Sequence, residues 1–115
     1  MNELTELKEQ ISIFNRDRDW RQFHSPKNLS MALSVEASEI VEIFQWMESE
    51  ESYDLSSEKL EKLEGEIADV LLYLLQLSAK FEIDPVKAAS RKLQVNEKKY
   101  PIEKAKGSAK KYNEF

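Results

Sequence analysis

Residues 58–81, EKLEKLEGEIADVLLYLLQLSAKF, decide the fold. Leu60, Leu63, Ile67, Leu71, Leu74 and Phe81 recur at the three-and-four spacing of an α-helix and mark its main apolar face. From Val70 to Leu77 the apolar residues point almost all the way round. A helix that is apolar on every side must be buried on every side. The few other helices of so short a chain cannot surround one of their own. The stretch therefore predicts an all-α domain and a homo-oligomer, a homodimer or homotetramer. Ser57 is the expected cap of this helix, with Glu61 in its first turns.

Upstream, Glu48 to Ser57 is acidic, Ser-rich and aperiodic, so it reads as a loop. Before it, Ser25-Pro26 is a helix-start signal, Ser as cap and Pro in the first position, for a helix running to about Met47. Leu29, Leu33, Ile40 and Phe44 lie along one stripe of that helix. The first helix runs from about Glu3 to Asp17, with Leu4, Leu7, Ile11 and Phe14 on one face. The polar, aromatic connection Arg18 to His24 joins the two. Downstream, Asp84-Pro85 repeats the cap-then-proline signal and starts a fourth helix, which must end before Pro101. The tail, residues 102–115, is basic in its middle and contains Gly107. Four helices with short connections predict a four-helix up-and-down bundle, with residues 1–115 as one domain.

The chain's 115 residues, with an apolar fraction of 41%, suffice for one small core. A formal net charge of −5 argues against a nucleic-acid binder, which needs a basic face. It leaves a phosphate substrate open, because a bound divalent cation reverses the local sign. There is no cysteine, so disulfides and thiolate metal sites are excluded. No apolar run approaches the roughly 20 residues that span a bilayer. No membrane partner is expected, and the expected location is the cytoplasm.

The second and third helices carry carboxylates where apolar residues belong. At roughly 100° per residue, Glu36 falls inside the apolar arc of the second helix and Glu39 on its edge, with Trp46 near Glu39. Glu42 points to solvent. On the third helix Glu66, Asp69 and Tyr73 cluster on one flank at i, i+3 and i+7. One Glu-x-x-Glu pair is most often simply solvated. Two such pairs turned toward apolar surroundings are another matter, because burying an unpaired carboxylate costs several kcal/mol or more. Too few basic residues share those faces to pair them. Divalent cations resolve the conflict: hard Mg²⁺ prefers oxygen ligands, keeps several waters and binds phosphates at the same time. A di-iron carboxylate bundle would need Glu-x-x-His motifs. The only histidine, His24, follows no such Glu.

Glu36-Ala37-Ser38-Glu39 followed by Glu66-Ile67-Ala68-Asp69 resembles the E-x-x-E, then E-x-x-D, pattern of the MazG-like nucleotide pyrophosphohydrolases, of the all-α NTP pyrophosphatase superfamily. Arg18-Asp19-Trp20, Gln22-Phe23-His24, Pro26-Lys27-Asn28-Leu29, Phe44-Gln45-Trp46, Tyr100-Pro101 and Lys110-Lys111-Tyr112 resemble the dCTP pyrophosphatase branch. The resemblance covers nearly the whole chain in order. It implies that Glu36, Glu39, Glu66 and Asp69 ligate Mg²⁺, with Mn²⁺ as a substitute. It implies that Trp20, Arg21, Gln22, Phe23, His24, Trp46 and Tyr73 line a nucleoside pocket, and that Lys92 and Asn96 contact phosphates or its rim. It also implies an oligomer. One departure bears on base preference: Ile11 stands where some relatives carry a histidine.

The expected reaction is dNTP + H₂O → dNMP + pyrophosphate, a pool-cleaning step on dCTP or a related or modified nucleotide, with dUTP and dATP as alternatives. Glu36 or Glu39 is the expected general base. The indoles of Trp20 and Trp46 would stack on the base, which gives affinity with little discrimination. The competing reading is a non-catalytic helical interaction module, its carboxylates paired with lysines across a subunit interface.

Overall fold

The computed structural model describes residues 2–114; Met1, Phe115 and the side chain of Tyr112, part of the tail motif quoted above, lie outside the described residues. Every regular element among the described residues is helical: α1 (Glu3–Asp17), α2 (Pro26–Phe44), α3 (Ser57–Lys80), α4 (Pro85–Lys99) and α5 (Ile102–Ala105), with single 3₁₀ turns at Arg21–Phe23, Glu51–Tyr53 and Tyr112–Glu114. No described helix is long and apolar enough to cross a membrane.

Each of the four long helices starts on a side-chain cap. Asn2 accepts from the Thr5 amide, Ser25 from Asn28, and Asp84 from both Val86 and Lys87. α2 and α4 also carry the expected Pro in their first turn. Such caps satisfy amides that the helix leaves unpaired. For α3 the cap is Ser56, one residue before the expected Ser57: Ser56 is extended and its hydroxyl accepts from Lys59, while Ser57 is already helical. α2 ends at Phe44 rather than near Met47, because the chain tightens there and the Met47 amide bonds the Phe44 carbonyl three residues back.

The end of α1 is a left-handed stop made without glycine. Asp19 has φ +54°. Its amide bonds the Arg16 carbonyl at 3.1 Å and the Trp20 amide bonds the Asn15 carbonyl at 2.9 Å, the paired bonds of a Schellman motif. Asp tolerates this conformation better than most residues, since its short polar side chain bonds locally. Here Gln22 Nε2 donates to the Asp19 carbonyl and carboxylate at 2.9 and 3.1 Å. The turn therefore sets the direction in which Trp20 leaves the helix.

The chain divides into two compact units, one ending at Glu82 and one starting at Ile83. In the first, α2 and α3 pack along much of their length and α1 lies against α3. The buried apolar centre is small: Leu29 and Ile43 from α2 and Leu75 from α3. The stripe of α3 expected to be most deeply covered is open in the single chain, with Leu60 and Ile67 more than half exposed and Leu71 and Leu74 over a third. The second unit holds α4, α5 and the tail. Its helix α4 keeps Lys98 and Lys99 in the last turn, where cations favour the helix dipole.

Candidate functional site

Where α2 meets α3, three carboxylates converge. Glu36, Glu39 and Glu66 each offer one oxygen, and the three oxygens lie within 4.8 Å of one another. The helical repeat explains the first two, since residues three apart share a face. The packing of α2 on α3 brings the third. All three are half-buried. Glu36 Oε2 and Glu66 Oε2 are fully buried with no hydrogen-bond partner.

Electrostatics follow from this crowding. Burial first, then the hydrogen bond and charge of Glu39, push the Glu36 carboxyl up to about 7, with Asp69 and Glu66 adding to the rise. Glu66 is also raised, first by its hydrogen bond with Glu39, then by burial and by the charges of Glu39 and Asp69. Two carboxyls can hydrogen-bond only while one keeps a proton; once both ionise, the same contact is repulsive. A cluster that resists ionisation is what like charges in a half-dry setting produce. A hard cation would supply the missing partner for the orphaned oxygens. The donor set is all oxygen, which suits Mg²⁺ or Mn²⁺ and not a soft metal. The fourth predicted carboxylate, Asp69, stands outside the trio but close enough for its charge to act on Glu36 and Glu66.

Asp69 also opens onto a cleft of about 350 Å³ between α1 and α3, at the lower end of the range for small-molecule pockets. Its walls include Phe14, Trp20, His24, Leu72 and Tyr73, mostly apolar, with polar atoms from Gln10, Asn15 and Gln76. Trp20 stands edge-on to Phe14 at 5.6 Å and to His24 at 6.5 Å between centroids. The Arg18 guanidinium lies over the Phe14 ring, 3.7 Å from its centre. A second cleft, about 280 Å³, adjoins the first through Ile11, Asn15, His24 and Gln76 and presents Lys8, Arg21 and Lys80. Burial, and then the charge of Lys80, lower the pKa of His24, whose Nδ1 is buried without a partner.

The predicted pocket residues thus divide. Trp20, His24 and Tyr73 share the cleft beside Asp69. Arg21 lines the neighbouring cationic cleft, where its guanidinium also donates to Ser12 Oγ at 2.9 Å. Gln22 is engaged with Asp19. Phe23 is 58% exposed and Trp46 89% exposed, so neither ring is covered by the chain itself. Lys92 and Asn96 sit on α4 in the second unit, Lys92 exposed and Asn96 half-buried. The sequence reading did not mark Gln10, Asn15 or Gln76. Asn15 and Gln76 each interrupt an apolar face, the same signal that drew attention to Glu36.

The chain is similar to known proteins in both sequence and fold. A MazG-like family model matches residues 31–115. The chain is 36% identical to dCTP pyrophosphatase 1 of Bos taurus, over 97% of this chain and 68% of that one. It is equally identical to dCTP pyrophosphatase 1 of Homo sapiens, over 97% of this chain and 67% of that one. The crystal structure of a pyrophosphatase from Archaeoglobus fulgidus superposes with a TM-score of 0.78 at 42% identity, covering 88% of this chain and 94% of that one.

Proposed function

Because this chain belongs to the MazG-like family and has the all-α fold of a nucleotide pyrophosphohydrolase, we propose that it hydrolyses a deoxynucleoside triphosphate, dCTP or a related or modified nucleotide, to the monophosphate and pyrophosphate. The observation that carries this reading is the carboxylate trio, with two orphaned buried oxygens, set beside an aromatic cleft.

In this proposal Glu36, Glu39 and Glu66, with Asp69 alongside, hold Mg²⁺, or Mn²⁺ in its place. A divalent ion bound there would supply positive charge to the phosphates and would make water more acidic. Glu36 or Glu39 takes the proton of the attacking water on a carboxylate oxygen. The water oxygen bonds the α-phosphorus as the bond to the bridging oxygen breaks, and pyrophosphate leaves in line. Trp20 and Tyr73 hold the base in the cleft that Asp69 also lines, with the phosphates toward the acidic trio. His24 closes the cleft wall. Arg21, Gln22, Phe23 and Trp46 complete the proposed substrate contacts of the first unit, and Lys92 and Asn96 on α4 are proposed as phosphate or rim contacts in their own right.

In this proposal residues 1–115 act as one MazG-like domain, as a homodimer or homotetramer, in the cytoplasm, where the nucleotide pool is met. The open stripe of Leu60, Ile67, Leu71 and Leu74 and the exposed rings of Trp46 and Phe23 support assembly, since contiguous exposed apolar surface marks an interface. The test is incubation with dCTP and Mg²⁺, with dCMP and pyrophosphate as products. Turnover should vanish with chelator and in Glu39→Ala or Asp69→Ala variants that retain their helical circular dichroism. No turnover across a panel of nucleotides would instead favour a non-catalytic interaction module.

A further inference from the structure

Asn15 on α1 and Gln76 on α3 are joined side chain to side chain across 61 positions of sequence, Asn15 Nδ2 donating to Gln76 Oε1 at 2.8 Å. Asn15 is only 8% exposed, one of two buried polar side chains named among the described residues. Gln76 is half-buried. Both line the aromatic cleft and both line its cationic neighbour, so the pair forms the wall the two clefts share.

The order of the amides is set by the backbone. Gln76 Nε2 donates to the Leu72 carbonyl at 3.2 Å. Turned the other way, Gln76 would face its own carbonyl to that of Leu72, two acceptors in contact. With its nitrogen tied to Leu72, its oxygen meets the Asn15 nitrogen. The carbonyl of Asn15, Oδ1, takes part in neither bond. Each donated bond also polarises the next amide, so the last carbonyl in the relay is a stronger acceptor than an isolated one. Asn15 lines the aromatic cleft together with Phe14, Trp20, Leu72 and Tyr73, and its Oδ1 is the amide acceptor that the relay leaves over.

We propose that the Asn15–Gln76 pair reads the base, favouring a nucleotide whose base carries an exocyclic amine over its keto counterpart. This rests on the nucleotide-hydrolase reading above. An amine donates to the Asn15 carbonyl. A keto oxygen at the same place sets acceptor against acceptor and leaves both unpaired, and such mismatches are where polar sites discriminate most strongly. Cytosine and uracil are the clean comparison, since they differ at that edge and hardly in size. The aromatic walls bind both equally well.

The experiment is the ratio of kcat/KM for dCTP to that for dUTP, measured with Mg²⁺ for the wild-type chain and for Asn15→Leu and Gln76→Met. Both substitutions keep the side-chain size while removing the relay, and circular dichroism melts select whichever variant folds. The wild type should prefer dCTP. Each folded variant should lower the ratio about 10- to 100-fold, through KM for dCTP, with Mg²⁺ affinity unchanged. If dCTP and dUTP fall by the same factor in a folded variant, the pair only fastens α1 to α3 and the proposal is overturned. A wild type that prefers dUTP overturns it as well. A wild type that hydrolyses no nucleotide removes the hydrolase reading and this inference with it, whereas an active wild type with an unchanged variant ratio removes the inference alone.

Discussion

Glu36 on α2 and Glu66 on α3 bring carboxylate oxygens within 4.8 Å of each other, and each keeps an oxygen buried with no hydrogen-bond partner. The two helices pack closely in spite of this contact, not because of it. Packing of Leu29, Ile43 and Leu75 holds the pair together, and the carboxylates sit in the seam as a local destabilisation. Ground-state strain of this sort is common at sites built for a ligand.

Glu36 titrates near 7 in the folded chain against an ordinary value of 4.5, and Glu66 is raised as well. The folded state therefore holds more protons than the unfolded one between those values, so stability must fall as pH rises through that window and level off above it. Thermal melts of the metal-free chain should show Tm declining from about pH 4.5 to about 7. Added Mg²⁺ should restore Tm most at the alkaline end, where no proton competes for the oxygens. A Tm that rises steadily across this range with no metal present would contradict the assignment.

Glu36→Gln separates stability from function. The substitution keeps the shape and removes one of the repelling charges, so the metal-free variant should melt above the wild type at pH 8. The same change removes a cation ligand or the proton acceptor, and turnover should drop by roughly 10²- to 10⁴-fold. Differential scanning calorimetry and a pyrophosphate-release assay on one sample report both effects.

Trp20→Ala tests the aromatic cleft. Base–aromatic stacking contributes about 1–3 kcal/mol per base, which corresponds to a rise in KM of roughly 5- to 150-fold. With kcat little changed, the loss would lie in binding and not in chemistry. Trp20 meets Phe14 and His24 edge-on, so Trp20→Phe should recover part of the affinity.

The turn that aims Trp20 depends on a left-handed Asp19. Asp19→Val forces a β-branched residue to φ +54° and should cost about 1–3 kcal/mol in a urea titration. Asp19→Gly adopts that conformation freely and should lose only the bond from Gln22 to the carboxylate, keeping the one to the backbone carbonyl.

The open apolar stripe of α3 predicts the assembly state. Leu71→Glu places a charge among Leu60, Ile67 and Leu74, where a subunit interface would have to bury it. Light scattering should find the wild type as a dimer or tetramer and this variant as a monomer at the same concentration.

How much of this was legible beforehand follows from the range of the forces involved. Helix starts at Ser25-Pro26 and Asp84-Pro85 are local chemistry, a side-chain oxygen meeting amides two or three residues on, and they stand in the sequence as written. The pairing of Glu36 with Glu39 is also local, one helical turn. The Ser56 cap and the end of α2 at Phe44 differ from expectation by one to three residues, because neighbouring serines and a 3₁₀ turn compete within fractions of a kcal/mol.

By itself, then, the order of residues determined the helices, their apolar stripes and the two acidic pairs, since each depends on contacts within a turn or two of one chain segment. Only the tertiary structure decided that Glu66 joins the first pair while Asp69 stays outside the trio and lines the cleft. It alone brought Asn15 to Gln76 and turned the stripe of Leu60 and Ile67 outward. Those outcomes depend on how α1, α2 and α3 rotate about their own axes when they pack. That rotation is chosen by the summed fit of many side chains from distant parts of the chain, which no local pattern records.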